Sequence, residues 1–133
     1  MYEYALEHSK NPVVYNGDLK DMETIHMFTE RFPTEKTIMI GRGLLTNPGL
    51  IEEIHGKGAV TKEMIKEFHD RLLSGYEDAM GSGQNVLFKM KEVWAYLGSH
   101  FQGADKYLKK IRKVKQVSEY KTISEELFRN CVI

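Results

Sequence analysis

The chain has 133 residues, enough for one domain or two small ones. Its 19 basic and 19 acidic residues cancel, so the overall charge predicts no partner. No apolar run approaches the roughly 18 residues needed to cross a membrane, and the acidic N-terminus is not typical of a signal peptide. The single cysteine, Cys131, excludes an intrachain disulfide and suits a reducing compartment, so we expect a cytoplasmic protein.

Two short apolar runs, each closed by a glycine turn, organise the first part of the chain. Residues 13–15 predict a strand that ends at Asn16-Gly17-Asp18, and residues 37–40 predict a second that ends at Gly41-Arg42-Gly43. A short helix over residues 1–9 precedes them, and residues 19–32 between them have helical spacing. This order predicts two parallel strands with both turns at the edge where α/β folds place their ligands.

The composition of the two turns is typical of a phosphate site. Glycine lets a ligand approach the main chain closely, and the planar guanidinium of Arg42 suits a phosphate. A helix from Pro48 to Ile54, capped by Thr46 or Asn47, would point its N-terminus back toward the turns. Ordinary surface turns are the alternative, but two such turns one βα unit apart favour the phosphate site.

The rest of the chain is predicted to be helical. Gly56-Lys57-Gly58 interrupts the pattern, which predicts domains over residues 1–57 and 58–133. Apolar stripes predict helices over residues 61–80, 86–97, 104–117 and 122–129, with a flexible joint at Gly81-Ser82-Gly83. No second ligand stands four residues from His69, so no metal site is predicted. No residue is assigned a catalytic role, and Cys131 is interpreted as structural.

Basic residues concentrate between residues 84 and 117, where eight basic and two acidic residues give a net charge of +6. A local basic surface on helices is typical of nucleic-acid binding. Tyr96, His100 and Phe101 lie nearby and could stack on exposed bases. A solvated lysine-rich helix with buried aromatics is the alternative, and composition leaves both open. On the nucleic-acid interpretation, the RNA contacts would be Lys89, Lys91, Tyr96, Lys106, Lys109, Lys110, Arg112 and Lys113.

Two motifs carry a resemblance to a known family. Pro-Val-Val-Tyr-Asn-Gly-Asp at residues 12–18 and Ile-Met-Ile-Gly-Arg-Gly-Leu-Leu-Thr-Asn-Pro at residues 38–48 resemble the last two barrel strands of the tRNA-dihydrouridine synthases. Residues 88–96 and 104–115 resemble the basic helices of that family's tRNA-binding domain, although Lys89-Met90-Lys91 replaces the more usual arginine and histidine. The resemblance therefore covers essentially the whole chain.

The resemblance implies an enzyme that reduces a tRNA uridine to 5,6-dihydrouridine with FMN and NADPH. In that family the two turns hold the FMN phosphate. The fold class implied is α/β plus all-α: the last two parallel strands of a (β/α)8 TIM barrel, followed by a helical bundle. The residues implied to bind FMN are Asn16, Gly17, Asp18, Gly41, Arg42 and Gly43.

The family's catalytic cysteine lies in barrel units that have no counterpart in these 133 residues. We therefore expect a C-terminal fragment that is inactive alone and binds FMN poorly. Two exposed strands would also favour self-association. The alternatives are a freestanding helical RNA-binding module, or the tail of another phosphate-binding barrel enzyme whose basic helices contact protein. The sequence does not reveal which tRNA uridine is modified.

Overall fold

The computed structural model describes residues 1–81 and 83–133, and these residues are mainly α-helical. Ser82, in the predicted flexible joint, lies outside the described residues. The first part of the chain holds α1 (Tyr2–His8), α2 (Met22–Arg31), α3 (Arg42–Thr46) and α4 (Leu50–Ile54). The second part holds α5 (Lys62–Met80), α6 (Gln84–Leu97), a 3-10 turn (Gly98–His100), α7 (Asp105–Lys113) and α8 (Val117–Asn130).

The predicted pair of parallel strands is wrong, and with it the predicted TIM-barrel fragment. Residues 1–81 and 83–133 contain no strand or sheet. The two segments meet at one parallel bridge between Tyr15 and Ile38, where the Met39 amide donates to the Tyr15 carbonyl at 2.8 Å. Val14 and Met39 are exposed. Parallel strands need cover on both faces and further neighbours, and this pair has neither.

The helices of the first part also start at other residues than predicted. α2 begins at Met22 because Asp21 caps it, with its Oδ1 accepting the Thr24 amide at 2.8 Å. This hydrogen bond holds the pKa of Asp21 below its usual value. A helix that the sequence did not predict, α3, begins directly after Gly41. The helix predicted from Pro48 begins two residues later, as α4.

A small core fills the first part of the chain. The small core consists of Leu19, Ile25, Phe28 and Leu50, all buried. The Tyr15 ring stacks on Phe28 with 4.4 Å between ring centroids, so the bridge segment packs directly on this core. Since Leu19 follows the first glycine turn by one residue, the position of that turn depends on the small core.

A large core joins α5, α6, α7 and α8, and here the predicted helices agree well with the structure. The bounds of α5 and α6 match the predictions within two residues. α7 ends earlier than predicted, at Lys113, and α8 begins earlier, at Val117. The large core includes Met90, Trp94, Leu97, Ile111, Tyr120 and Phe128.

A buried hydrogen-bond chain crosses the large core. Trp94 Nε1 donates to Tyr120 Oη at 2.7 Å, and Tyr120 Oη lies 2.6 Å from His69 Nε2. The Tyr120 hydroxyl therefore donates to Nε2, and Nδ1–H of His69 donates to Asp70 Oδ1 at 2.8 Å. Burial lowers the pKa of His69. The interpretation of His69 as a structural residue is confirmed.

The described helices and side chains can be compared with the requirements of a membrane span and of a metal site. None of them is long and apolar enough to span a membrane. Among residues 1–81 and 83–133, no group of three or more histidine, cysteine or carboxylate side chains is arranged to hold a metal ion.

Candidate functional site

An open cavity of about 670 Å³ lies where the two glycine turns meet. The turns are distant in the sequence, and the bridge between Tyr15 and Ile38 brings them together. The walls also include Lys20, Thr46 and Tyr96. All six residues predicted to hold a phosphate line this cavity: Asn16, Gly17, Asp18, Gly41, Arg42 and Gly43.

Gly43 fixes the second turn against the first. A Cβ atom on Gly43 would lie 2.2 Å from the Leu19 carbonyl oxygen and 3.0 Å from Lys20 Cα. Both are main-chain atoms, so only glycine fits without moving the backbone. Leu19 is itself buried in the small core. The separation of the two turns is therefore set by a backbone contact that the small core supports.

The turns provide open space beside Gly41 and free backbone amides that can donate hydrogen bonds to a ligand. A Cβ on Gly17 would lie 2.0 Å from Tyr15 Oη, whereas one on Gly41 would meet nothing within 4 Å. Gly41 therefore faces open space. Within the described part of the chain, the amides of Gly17, Asp18, Gly41 and Arg42 donate to no protein acceptor. Such amides need water or a ligand as acceptor.

Two cations and one anion lie around the cavity. Arg42 Nη2 contacts Asp18 Oδ1 at 2.5 Å, and both side chains are mostly exposed. Exposed ion pairs contribute little, about 0–1 kcal/mol, so an arriving phosphate can draw Arg42 away from Asp18 at small cost. Lys20 is the second cation, and its amide donates to Thr24 Oγ1 at 3.2 Å. The sequence analysis missed Lys20, although it follows the first turn closely.

Tyr96 lines the same cavity, although the sequence analysis assigned it to the RNA surface. Helix geometry places it about 140° around α6 from Lys91. His100 Nε2 donates to the Thr46 carbonyl at 2.5 Å, which ties α3 to the end of α6. The cavity is thus built from the two turns and from the helical bundle together. A role of Tyr96 in RNA stacking stays a prediction.

A basic stripe, defined by Lys106, Lys109, Lys110 and Lys113, runs along α7. These residues stand at positions i, i+3, i+4 and i+7, so they share one helix face. All four are exposed. None of the ion pairs within residues 1–81 and 83–133 involves these four lysines. Arg112 is also exposed and lies beside the stripe.

The basic residues of α6 are placed differently. Lys91 Nζ donates to the Val114 carbonyl at 2.7 Å and is half-buried, so it joins α6 to the end of α7. Lys89 lies 3.8 Å from Glu92, a loose ion pair. The suggestion that Phe101 stacks on bases is wrong, because this ring is buried in the large core. α7 therefore carries most of the available positive charge.

The fold and the cavity define a mainly helical protein with a glycine-lined cavity and a basic helix. Residues 5–132 match the family model described as Dihydrouridine synthase (Dus). Because the match covers almost the entire chain, this chain belongs to the dihydrouridine synthase family. Members are oxidoreductases that act on tRNA and generally depend on a flavin. No curated protein and no solved structure matches the chain.

Proposed function

We propose that this chain binds the phosphate of FMN and also binds tRNA. It would do so as part of a tRNA-dihydrouridine synthase that uses NADPH as reductant. Membership of the family supports the reaction class. The observation that carries the proposal is the convergence of both glycine turns and Arg42 on one cavity. When bound and reduced, FMN supplies the hydride for the C5–C6 bond of uridine.

The cavity fits a phosphate ester in shape and in donors. A side chain on Gly43 would displace the turn, while the space beside Gly41 is open. Arg42 provides a planar fork and Lys20 a point charge, both suited to phosphate oxygens. The unpaired turn amides add neutral donors. Asp18 Oδ1 accepts a hydrogen bond from Arg42 Nη2, which keeps the guanidinium beside the cavity until a phosphate replaces this weak pair.

Comparing FMN with riboflavin tests this site, because the two differ by the phosphate. We expect the chain to bind FMN more tightly than riboflavin in a flavin-fluorescence titration. Hydrogen bonds to charged groups contribute about 1.5–3 kcal/mol, so Arg42→Ala should weaken FMN binding by roughly 10- to 150-fold and leave riboflavin unchanged. Arg71→Ala, at an exposed arginine on α5, is the control. Equal affinity for FMN and riboflavin would refute the phosphate site.

The salt dependence of tRNA binding tests the basic stripe. Each phosphate neutralised by a lysine contributes about 0.9 to the slope of log K against log salt. Lys109→Ala and Lys113→Ala should each lower that slope by close to this amount. Lys36→Ala, at an exposed lysine in the first part of the chain, should not. A slope unchanged in every stripe variant would contradict the assignment.

We expect no uridine reduction by this chain alone. In the family a cysteine protonates the substrate, as the resemblance implies, and Cys131 is the one thiol in the sequence. It is 4% exposed, and its amide donates to the Leu127 carbonyl within the large core. It cannot reach a nucleotide. Incubation with FMN, NADPH and unmodified tRNA checks this, and turnover above background would overturn it.

We also propose that residues 1–57 and 58–133 are separate domains. The support is that each contains its own buried cluster, the small core and the large core. Glu53 Oε1 accepts the Val60 amide at 3.0 Å across the proposed boundary, so the linker is held in place. Self-association and a cytoplasmic location stay predictions.

A further inference from the structure

Phe88 is the most exposed aromatic side chain of the large-core helices, at 70%. It lies on α6 opposite the buried residues Met90 and Trp94, about 160° from the first and about 120° from the second by helix geometry. A phenyl ring has no polar group that would favour exposure to water. The residues around Phe88 therefore indicate which kind of partner its ring contacts.

Two hydrogen bonds locate Phe88 beside the basic end of α7. Gln84 Nε2 donates to the Lys115 carbonyl at 2.8 Å, and Lys91 Nζ donates to the Val114 carbonyl at 2.7 Å. Phe88 stands four residues after Gln84 and three before Lys91, within about 60° of both on the helix. The ring therefore stands on the side of α6 that reaches the segment after α7.

The charge on this side of the molecule is mainly positive, although Lys89 pairs with Glu92 at 3.8 Å. Lys89 is its chain neighbour, and Arg112, Lys113 and Lys115 are exposed at the end of α7 and just beyond it. This charge favours an anionic partner and disfavours a second basic surface. An aromatic ring among cations that can follow a phosphate backbone is the arrangement by which proteins stack unpaired bases.

We propose that Phe88 stacks on an unpaired nucleobase of the bound RNA while the cations beside it contact the flanking phosphates. The inference rests on the proposed tRNA binding and adds to it a specific contact. Stacking requires a base free of its pairing partner, so the contact selects single-stranded over fully paired RNA. It also contributes affinity that salt does not screen, unlike the lysine contacts.

The test compares Phe88→Ala with Lys113→Ala on two probes, a labelled 12-nucleotide uridine strand and a 12-base-pair RNA duplex. Stacking contributes about 1–3 kcal/mol per base, so Phe88→Ala should weaken single-strand binding by about 5- to 150-fold without changing the salt slope. Duplex binding should not change. Phe88→Trp should restore affinity, and Lys113→Ala should lower the slope on both probes.

The matched control is Met27→Ala, which removes another exposed apolar side chain, on α2. Trp94 fluorescence and circular dichroism check that each variant is folded. Equal losses on both probes, or no loss in Phe88→Ala, would overturn the stacking inference while lysine effects would still support RNA binding. Absence of RNA binding by the unaltered chain would overturn both proposals.

Discussion

Replacing Gly43 by alanine tests how the two turns are held together. The added Cβ would lie 2.2 Å from the Leu19 carbonyl oxygen, and an ordinary contact begins at 3.4 Å. The backbone at one of the turns must therefore move by about 1.2 Å, since the clashing oxygen belongs to the main chain and not to a flexible side chain. Leu19 belongs to the small core, so the movement disturbs its packing.

The cost should be a substantial fraction of the free energy that stabilises the small core. Overpacking of this kind costs about 1–3 kcal/mol, occasionally more. Complete burial of an apolar side chain contributes roughly 1.5–3 kcal/mol before chain entropy is subtracted, and the small core has four such side chains. Moving Leu19 alone removes up to one quarter of that stabilisation. We therefore expect residues 19–32 to open far more often in the variant.

Amide hydrogen exchange followed by mass spectrometry measures this opening segment by segment. Peptides from residues 19–32 should exchange faster in Gly43→Ala, by roughly 5- to 150-fold for 1–3 kcal/mol, while α5 and α6 keep their protection. Gly75→Ala is the control, because its Cβ meets nothing within 4 Å and lies inside α5. Unchanged exchange of residues 19–32 in Gly43→Ala would refute the backbone-contact argument.

Two further predictions concern the buried hydrogen-bond chain. Tyr120→Phe leaves His69 Nε2 and Trp94 Nε1 without partners, so the free energy of unfolding should fall by about 2–5 kcal/mol; urea titration by Trp94 fluorescence measures this, and exposed Tyr4→Phe should have no effect. Burial lowers the pKa of His69 despite the adjacent Asp70 carboxylate. As the pH falls below about 6.5, His69 is therefore protonated in the unfolded chain before it is protonated in the folded chain. The free energy of unfolding should therefore be unaffected by His69 above about pH 6.5 and should decrease below it, by at most about 1.4 kcal/mol per pH unit. If a His69→Gln variant showed the same dependence of this free energy on pH between pH 6.5 and 5, the prediction would be contradicted.

The helices of the large core could be predicted from the sequence because their apolar stripes are long. α5 and α6 each carry a periodic pattern that spans several turns, and periodicity over that length is informative. α3 has only five residues, too few to show a periodic pattern, and Gly41-Arg42-Gly43 at its beginning has the composition of a turn. The sequence therefore did not predict this helix. The start of α2 depends on its Asp21 cap, and such local contacts shift helix boundaries by a few residues. α8 begins five residues earlier than predicted, at Val117, and no side-chain cap marks its start.

The strands were predicted wrongly for a different reason. Val13-Val14-Tyr15 and residues 37–40 have the composition of buried strands, but composition cannot supply the neighbours that a parallel sheet needs. In the structure only the bridge at Tyr15 remains. The apolar side chains instead split, with Tyr15 packing on the small core and Met39 facing solvent.

The site was predicted in part because glycine turns are visible in a sequence and long-range packing is not. The composition of the turns indicates a phosphate site and the resemblance implies the six residues, and the structure places all six around one cavity. Tyr96 reaches this cavity only because α3 packs on α6, a contact that no local pattern encodes. The exposure of Phe88 was also hidden, because a helical stripe does not show whether a flanking aromatic is covered by a neighbour.

The contact between the first part of the chain and the helical bundle forms one wall of the candidate phosphate cavity. The turns contribute Arg42 and the open space at Gly41, while the bundle contributes Tyr96 and, through His100, holds α3 in place. A ligand seated on the turns therefore touches an element that also belongs to α6. Because α6 carries Phe88 on its outer face, the proposed phosphate site and the proposed RNA surface share one helix. Small shifts of α6 would then change both sites together, which neither glycine turn could do alone.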